Sequence, residues 1–358
     1  TLANLDPGNI MYLQIQGRFW QQVMLLMGVW IGLAVSPFFA LIGEAGAGAL
    51  AIGVIFFQVA VGFDQNDQSR NRFIHIYGRA ILDPLPKNSI LLSHGDIFSN
   101  SIRYLQTCEN FRTDVRVFDR EMLATPWYGR LIQMHYKDIV LPGKYFRITD
   151  PEGYDLGKFM DANAPTHPIA FATFDQYERD RSYEARYGTW PWGFAHRAFP
   201  GRTVADLSTY LAETASAFSE FTPEVMKDLA RYPGGTWEHL VWREYWEAYY
   251  RKGFSFFTQA AASGDSVALY VEAVKVFEDI AGRSREAPPW MYKYLGMSLR
   301  NMREKDPTVA ADSGTEERMV RWFRRFVELA GDPSSPAASD TEIPALKTWL
   351  ETYQGRWR

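Results

Sequence analysis

Charged side chains follow two short apolar runs, at positions where they could bind or activate a ligand. His94 and Asp96 come directly after the apolar run at 89–93, and Asp119 and Glu121 follow the next apolar run. If both runs are parallel strands, their carboxyl ends share the sheet edge where α/β proteins place their sites. The acidic groups could then face each other across a ligand. The alternative is that they cap the following helices or form surface ion pairs.

Asn100 and an aromatic loop add further candidates. Asn100 could bind a ligand or cap a helix. The loop at 190–193 (WPWG) is dense in aromatic rings, and tryptophan faces stack well on sugars. The alternative for Trp190 and Trp192 is a rigid packed corner that ties an α/β part to the helices that follow it.

Several kinds of site are not expected from the composition. The six histidines include no pair at the i, i+4 spacing of a zinc-binding helix, so we predict no metal site. No glycine-rich nucleotide-binding motif occurs, and no cofactor is predicted. The net charge of −4 gives no reason to expect a nucleic-acid partner. The single cysteine, Cys108, cannot form an internal disulfide.

The run at 23–63 is the strongest structural signal, because it contains one charged residue, Glu44. Its halves, 23–42 and 45–63, each approach the ~20 residues that cross a bilayer. Glycines surround Glu44, so we predict a turn there and a transmembrane helical hairpin with both ends on one side. A buried hairpin in a soluble protein is the alternative. Trp20 suits the membrane interface, and arginines near the open ends favour a cytoplasmic side.

The next part of the chain alternates between strand and helix patterns, which predicts a small parallel α/β domain. Apolar periodicity and proline or glycine boundaries locate the elements. The predicted helices span 70–82, 100–110 and 121–136, and the predicted strands span 89–93, 115–118 and 168–174.

Segments after residue 200 carry helical periodicity. Small and large apolar residues recur along 268–277 and 291–299 as in stacked helix pairs, which is typical of a tetratricopeptide-like array. The predicted fold class is therefore α/β plus all-α, with a transmembrane hairpin, a small parallel α/β domain and a tetratricopeptide-like helical array. The predicted divisions are a pre-membrane segment 1–22, the hairpin 23–63, the α/β domain 64–200 and the helical domain 201–358.

Several motifs resemble the C-terminal half of the transmembrane-protein-260 family, in the same order and at the same intervals. They are 84–96 (PLPKNSILLSHGD), 100–105 (NSIRYL), Cys108-Glu109, 112–115 (RTDV), 119–122 (DREM), Trp127-Tyr128, Pro142-Gly143, 190–193 (WPWG) and, upstream, Arg18-Phe19-Trp20 with Gln22. The resemblance spans most of residues 1–260 and includes the last two membrane helices of the family. The predicted helices after residue 200 agree with the family's C-terminal tail in type and order.

The resemblance implies a GT-C glycosyltransferase of the endoplasmic reticulum that O-mannosylates protein domains from a dolichyl-phosphate sugar. It implies a lumenal soluble part, contrary to the arginine distribution. The family's acidic first lumenal loop has no counterpart in this chain, so no catalytic residue is predicted. Arg18 could pair with a lipid phosphate, because a guanidinium binds phosphate through two parallel hydrogen bonds. Trp127 joins the candidate contacts because it lies in a matching motif.

Two functions are open at this point. The first is a membrane-anchored, substrate- or partner-binding C-terminal part of a protein O-mannosyltransferase-like GT-C enzyme, with membrane lipid and an acceptor protein as partners. The second is a non-catalytic structural subunit of a larger membrane complex, in another organelle, that reuses this family's tail. A companion chain or upstream sequence that supplies further membrane helices and an acidic first loop would favour the first.

Overall fold

A computed structural model describes residues 10–148, 150–172, 180–201, 206–264, 266–284 and 287–354, with side chains for all of these except 10–19, 22, 64–66, 353 and 354. Internal contacts divide the chain into two compact units. The first consists of Thr1–Ile76 with Pro223–Val241, and the second of Tyr77–Thr222 with Trp242–Arg358.

Helices and strands are both present, which confirms the predicted mixed class. The described helices are α1 Ile10–Asn66, α2 Phe73–Leu82, α3 Asp96–Cys108, α4 Arg120–Leu123, α5 Pro126–His135, α6 Leu156–Asn163, α7 Leu207–Glu213, α8 Pro223–Leu229, α9 Trp237–Ala262, α10 Val267–Arg283, α11 Pro289–Lys305, α12 Pro307–Ala310, α13 Ser313–Ala330 and α14 Ile343–Gln354. The described strands are β1 Ile90–Ser93, β2 Arg116–Asp119, β3 Tyr145–Phe146, β4 Gly153–Tyr154, β5 Ile169–Ala172, β6 Tyr187–Trp192 and β7 Ala195–Pro200.

Helix α1 carries the apolar run in the first unit. Gly43 interrupts its helical geometry, with φ +69° and ψ 172°, a conformation that glycine adopts without a Cβ clash. The stretch that is long and apolar enough to cross a membrane is Val23–Phe63, and none of its most apolar part is buried. This exposure argues against the alternative of a soluble-protein core helix, whose apolar face would be covered.

The break at Gly43 lies where the turn of the hairpin was predicted. A straight helix of 41 residues would extend about 60 Å, twice the ~30 Å hydrocarbon thickness of a bilayer. Each half on its own has the length of one crossing. The structure nevertheless provides one candidate span here, with exposed side chains in both halves, so the pairing of the halves into a hairpin stays a prediction.

The first unit also contains residues from later in the chain. The ring of Phe73 meets that of Tyr232 edge-on, with centroids 5.5 Å apart. The side-chain amide of Asn71 donates a hydrogen bond to Oε1 of Glu238 at 2.6 Å. The segment 223–241, expected to belong to the C-terminal helices, therefore packs on the residues that follow the apolar helix.

The second unit contains a five-stranded sheet of order β2-β1-β5-β7-β6. Strand β1 pairs in parallel with β2 and β5, which confirms the parallel arrangement predicted for these three strands. Strand β7 runs antiparallel to both β5 and β6. The sheet as a whole is therefore mixed, which corrects the prediction of a parallel domain: the three predicted strands are parallel, and the β6–β7 hairpin adds two antiparallel strands at one edge. A separate parallel pair joins β3 and β4.

The loop predicted at 190–193 is an edge strand followed by a turn. Trp190 and Trp192 lie in β6, and Gly193 makes the turn into β7 with φ +67°. Pro191 is tolerated because β6 is the outermost strand of the sheet in the described residues, and one side of its backbone has no ladder partner among them. Pro191 and Gly193 lie two residues apart, and this spacing is typical of a loop. The β6–β7 hairpin was therefore not predicted from the sequence.

Parallel strands covered on both faces explain the continuous apolar runs in the sequence. Ile90 and Leu92 of β1 belong to a buried cluster that includes Phe118 of β2 and Phe159 of α6. Leu91, between them, is equally buried but lies outside that cluster, as the alternation of side chains along a strand requires. The sheet therefore holds the loops at its edge on a rigid base.

The helical part of the second unit packs through close crossings. Helix α11 contacts α10 and α13, and α13 contacts α14. A Cβ at Gly253 of α9 would lie 2.6 Å from the ring of Phe277, and one at Gly296 of α11 would lie 2.7 Å from the ring of Phe323. These glycines let large rings reach the neighbouring backbone. A tetratricopeptide-like repeat in these helices stays a prediction.

Candidate functional site

The carboxyl ends of β1 and β2 lie side by side, as predicted. In the register of these strands, Ser93 is paired with Asp119. Side chains that follow the two strands therefore meet at one edge of the sheet. We call this group the strand-edge cluster, and its members are Ser93, His94, Ser99, Arg103, Asp119, Glu121 and Tyr128.

Asp119 is the centre of the strand-edge cluster and caps helix α4. Its carboxylate accepts hydrogen bonds from the backbone N–H of Glu121 at 3.0 Å and of Met122 at 3.3 Å, which is the capping role considered above. A guanidinium nitrogen of Arg103 lies 3.6 Å from Oδ2. The hydroxyl of Ser99 donates to the same oxygen at 3.5 Å. With its side chain 14% exposed, the carboxylate is largely shielded from water.

His94, Asp96 and Asn100 occupy the loop after β1 and the first turns of α3. Nδ1 of His94 lies 3.7 Å from Oε1 of Glu121. Gly95, with φ +80°, precedes α3 as its cap, so Asp96 is not the capping residue. Asp96 is exposed in the first turn, where a negative charge favours the helix dipole. Asn100 is exposed too, and within the described part of the chain neither residue bonds to the strand-edge cluster.

Aromatic side chains border the strand-edge cluster. The hydroxyl of Tyr128 accepts a hydrogen bond from the backbone N–H of Asp119 at 3.2 Å, and burial raises the pKa of this tyrosine. The ring of Trp127 meets Tyr128 edge-on at 5.7 Å and is 52% exposed. Trp127 is therefore accessible to a ligand beside the cluster.

Four members of the strand-edge cluster were not singled out in the sequence. Ser99 and Arg103 lie four residues apart on α3 and so share a helix face. The hydroxyl of Ser99 donates to that of Ser93 at 2.9 Å, and Tyr128 directly follows Trp127. The polar i, i+4 pair on the first helix after a buried strand is the sequence signal that could have found them.

Trp190 and Trp192 have a structural role. They are 1% and 0% exposed. The indole N–H of Trp192 donates to the carbonyl oxygen of Pro84 at 2.6 Å, and the ring of Trp190 lies 4.7 Å from Tyr210 and 6.3 Å from Phe256. Because buried rings offer no face to a sugar, the packed-corner alternative replaces the predicted ligand contact for both.

The two candidates nearest the membrane run lie in α1. The side chain of Arg18 is outside the described residues, so its role stays a prediction. Trp20 is 60% exposed and precedes the apolar run that begins at Val23. This position suits a tryptophan at a membrane interface.

The strand-edge cluster is suited to binding a polar ligand. It combines a shielded carboxylate with a half-exposed guanidinium, and the exposed Trp127 lies beside it. Together these groups can hold hydroxyl or amide groups and an apolar ring face. Across the described ranges, His, Cys, Asp and Glu side chains form no group that could hold a metal ion.

Glu244 of α9 is a perturbed acidic group that was not anticipated. It is 5% exposed, and burial raises its pKa to about 7 against the attraction of Arg243 and Arg251. Its charge also adds to burial in raising the pKa of Tyr77. A glutamate inside an aromatic helix face, between Trp242 and Trp246, was the available sequence signal.

Replacing Glu244 by glutamine should remove a pH-dependent loss of stability. An unfolded glutamate releases its proton near pH 4.5, whereas the folded protein keeps it up to about pH 7. The free energy of unfolding therefore falls as pH rises through this window and stays low above it, by on the order of 3 kcal/mol. We expect Glu244→Gln to be more stable than wild type at alkaline pH and equal to it at acidic pH, measured by urea unfolding. An equal gain at both pH values, or the same gain in the exposed control Glu317→Gln, would contradict this.

Comparisons with known proteins agree with the resemblance. Residues 74–142 match the family model described as TMEM260-associated domain 2. The chain is 25% identical over 366 residues to Protein O-mannosyl-transferase TMEM260 of Mus musculus, covering 96% of this chain and 50% of that protein. It is 26% identical over 266 residues to Protein O-mannosyl-transferase tmem260 of Dictyostelium discoideum, covering 68% of this chain and 32% of that protein. No solved structure matches.

The chain thus spans half or less of the length of these curated relatives. The family-model segment runs from α2 through α5 and contains the whole strand-edge cluster. The long apolar helix and the similarity to these transferases indicate association with a membrane. The family-model match and the two relatives together support the resemblance of this chain to the TMEM260 family.

Proposed function

We propose that this chain is the membrane-anchored, substrate-binding C-terminal part of a protein O-mannosyltransferase-like GT-C glycosyltransferase. One observation carries the proposal: the segment that matches the family model holds the strand-edge cluster and follows the apolar helix α1 directly in sequence. The relatives from Mus musculus and Dictyostelium discoideum both bear the name protein O-mannosyl-transferase, which supports the type of reaction.

In this role α1 is a transmembrane hairpin that turns at Gly43. The non-helical backbone at that residue and the length of each half support the turn. Glu44 then lies in the turn, outside the hydrocarbon, where a carboxylate is hydrated. Trp20 lies at the interface on the opposite side of the membrane from the turn.

The donor in this proposal is a dolichyl-phosphate sugar, and the acceptor is a protein segment in the lumen of the endoplasmic reticulum. Exposed Trp127 supports stacking on a sugar or an apolar side chain. Arg103, 48% exposed, has guanidinium donors for acceptor carbonyl groups. The helices α10 to α14, in a tetratricopeptide-like arrangement, provide further surface for the acceptor protein.

A second candidate is a non-catalytic subunit of a larger membrane complex. The observation that favours it is the engagement of Asp119, the shielded carboxylate of the strand-edge cluster, as a helix cap and ion-pair partner. A carboxylate held in this way is suited to fixing a loop rather than to exchanging protons. In that case the helical surface binds a partner subunit, and the membrane is that of another organelle.

Substituting Arg18 by alanine should weaken binding of a lipid-linked sugar while leaving the fold intact. A guanidinium gives a phosphate two parallel charge-assisted hydrogen bonds, and losing contacts of about 1.5–3 kcal/mol lowers affinity roughly 10- to 100-fold. The measurement is retention of radiolabelled dolichyl-phosphate mannose by the detergent-purified chain.

The matched control is Arg70→Ala, which removes an exposed arginine beyond the other end of the apolar run. Unchanged binding in Arg18→Ala would exclude Arg18 as the phosphate contact. An equal loss in Arg70→Ala would mean that general positive charge, and not a site at Arg18, attracts the lipid.

A further inference from the structure

The helical part of the second unit contains a cleft. Its lining residues come from 281–328, whereas the strand-edge cluster comes from 93–128. The volume of the cleft is about 590 Å³, within the range that holds small organic ligands. It is formed by the end of α10, the start of α11 and one face of α13. The lining includes Ser284, Tyr292, Arg321, Trp322, Arg324 and Arg325.

The cleft carries an excess of positive charge. Arg321, Arg324 and Arg325 line it together with a single acidic residue, Glu328. The pair between Arg325 and Glu328 spans 3.5 Å on the surface. Arg321 and Arg324 have no hydrogen-bond or ion-pair partner among the residues that the structure describes. Two guanidinium groups are thus left without a neutralising anion.

Neighbouring arginines on the same helices are neutralised. Arg318 of α13 makes two hydrogen bonds to the carboxylate of Glu278, at 2.9 and 2.7 Å. Arg283 of α10 donates to Asp279 at 2.9 Å. Other arginines on these helices thus have carboxylate partners among the described residues, whereas Arg321 and Arg324 in the cleft do not.

An aromatic wall stands beside the free guanidinium groups. The rings of Tyr292 and Trp322 stack, with centroids 5.8 Å apart and an interplanar angle of 27°. Tyr292 is 6% exposed, and the indole N–H of Trp322 lies 3.4 Å from Oε1 of Glu278. Because the bidentate pair with Arg318 fixes that same carboxylate, the wall is held in place before any ligand arrives.

We propose that this cleft binds a small phosphate ester. Guanidinium groups match the oxygens of a phosphate in geometry and charge, and two of them balance its dianion. Trp322, which is partly exposed and is backed by the buried ring of Tyr292, provides the apolar contact for the organic part of the ester. Neither the strand-edge cluster nor the membrane helix takes part in this site.

The test is a calorimetric titration of the full chain in detergent with phenyl phosphate. We expect binding that weakens as ionic strength rises, and an affinity at least about tenfold lower in the double variant Arg321→Gln with Arg324→Gln. The control is Arg130→Gln, which removes an exposed arginine of α5 outside the cleft, and its affinity should equal that of wild type. Both replaced arginines are exposed, so thermal unfolding of the double variant should match wild type.

Two further titrants sharpen the result. Inorganic phosphate should bind more weakly than phenyl phosphate, because it makes no contact with the aromatic wall. Phosphatidic acid in the same detergent distinguishes a lipid headgroup from a soluble ester, and preference for either supports a phosphate site. Equal affinity of wild type and the double variant, equal loss in Arg130→Gln, or no binding of phenyl phosphate at millimolar concentration would overturn the proposal.

Discussion

Arginine at the centre of each apolar half of α1 should remove the chain from membranes. Leu33 and Val54 are 69% and 52% exposed, in the middle of the two halves. Arginine at the centre of a membrane helix costs about 2.5–3.5 kcal/mol on an insertion scale, so two such residues reverse the preference for the bilayer. We expect wild-type protein to stay in the membrane pellet after alkaline carbonate extraction and the double variant Leu33→Arg with Val54→Arg to leave it.

The control adds the same charge outside the apolar run. Gln68→Arg with Tyr104→Arg places two arginines at exposed positions and should leave extraction unchanged. Retention of the Leu33 and Val54 double variant in the pellet would show that α1 does not hold the chain in the bilayer.

The single cysteine makes the hairpin itself testable. In a Cys108→Ser background, thiols introduced by Trp20→Cys and Ser69→Cys mark the two ends of the apolar run. A hairpin requires that a membrane-impermeant maleimide labels both thiols from the same side of sealed vesicles. Labelling from opposite sides would mean that the helix crosses once, despite the break at Gly43.

Removal of the Trp192 side chain should cost about 3–5 kcal/mol of the free energy of unfolding. The ring is fully buried. It packs on Tyr210 at 5.5 Å and Phe199 at 5.9 Å, between the edge of the sheet and the helices that follow. Trp192→Ala leaves a cavity there that a rigid strand cannot close. Urea unfolding followed by circular dichroism measures the loss.

A pair of variants separates packing from hydrogen bonding at this corner. Trp192→Phe keeps an aromatic ring but leaves the carbonyl of Pro84 without its donor, which costs about 1–3 kcal/mol. The exposed Trp127→Ala should change stability by less than about 0.5 kcal/mol. If Trp192→Phe lost binding of dolichyl-phosphate mannose while its free energy of unfolding equalled that of wild type, the structural role assigned to Trp192 would be contradicted.

Local patterns predicted the parallel part of the sheet well. The strands predicted at 89–93, 115–118 and 168–174 correspond to β1, β2 and β5, with positions 173 and 174 outside the described residues. Buried parallel strands produce continuous apolar runs, which are visible in a single sequence. The β6–β7 hairpin was missed because its apolar pattern is interrupted by Pro191 and Gly193, and only its position at the sheet edge makes these residues acceptable.

The sequence predicted where the candidate site lies but not all of the residues that form it. The loops after β1 and β2 meet because the parallel register pairs Ser93 with Asp119, and that pairing follows from the strand order. Arg103 and Tyr128 come from helices whose approach to Asp119 depends on three-dimensional packing. The packing of 223–241 on the residues after α1 had no local signal for the same reason.

The most direct test of the central claim is purification of the protein from its native membranes in mild detergent, with mass spectrometry of every polypeptide and of the sequence flanking this chain. We expect further membrane helices and an acidic first lumenal loop of the GT-C type to be present, in the same polypeptide or in a companion chain. The purified material should then transfer mannose from dolichyl-phosphate mannose to an acceptor protein. Recovery inside an unrelated membrane assembly, without GT-C helices and without transfer, would contradict the account and favour a structural subunit.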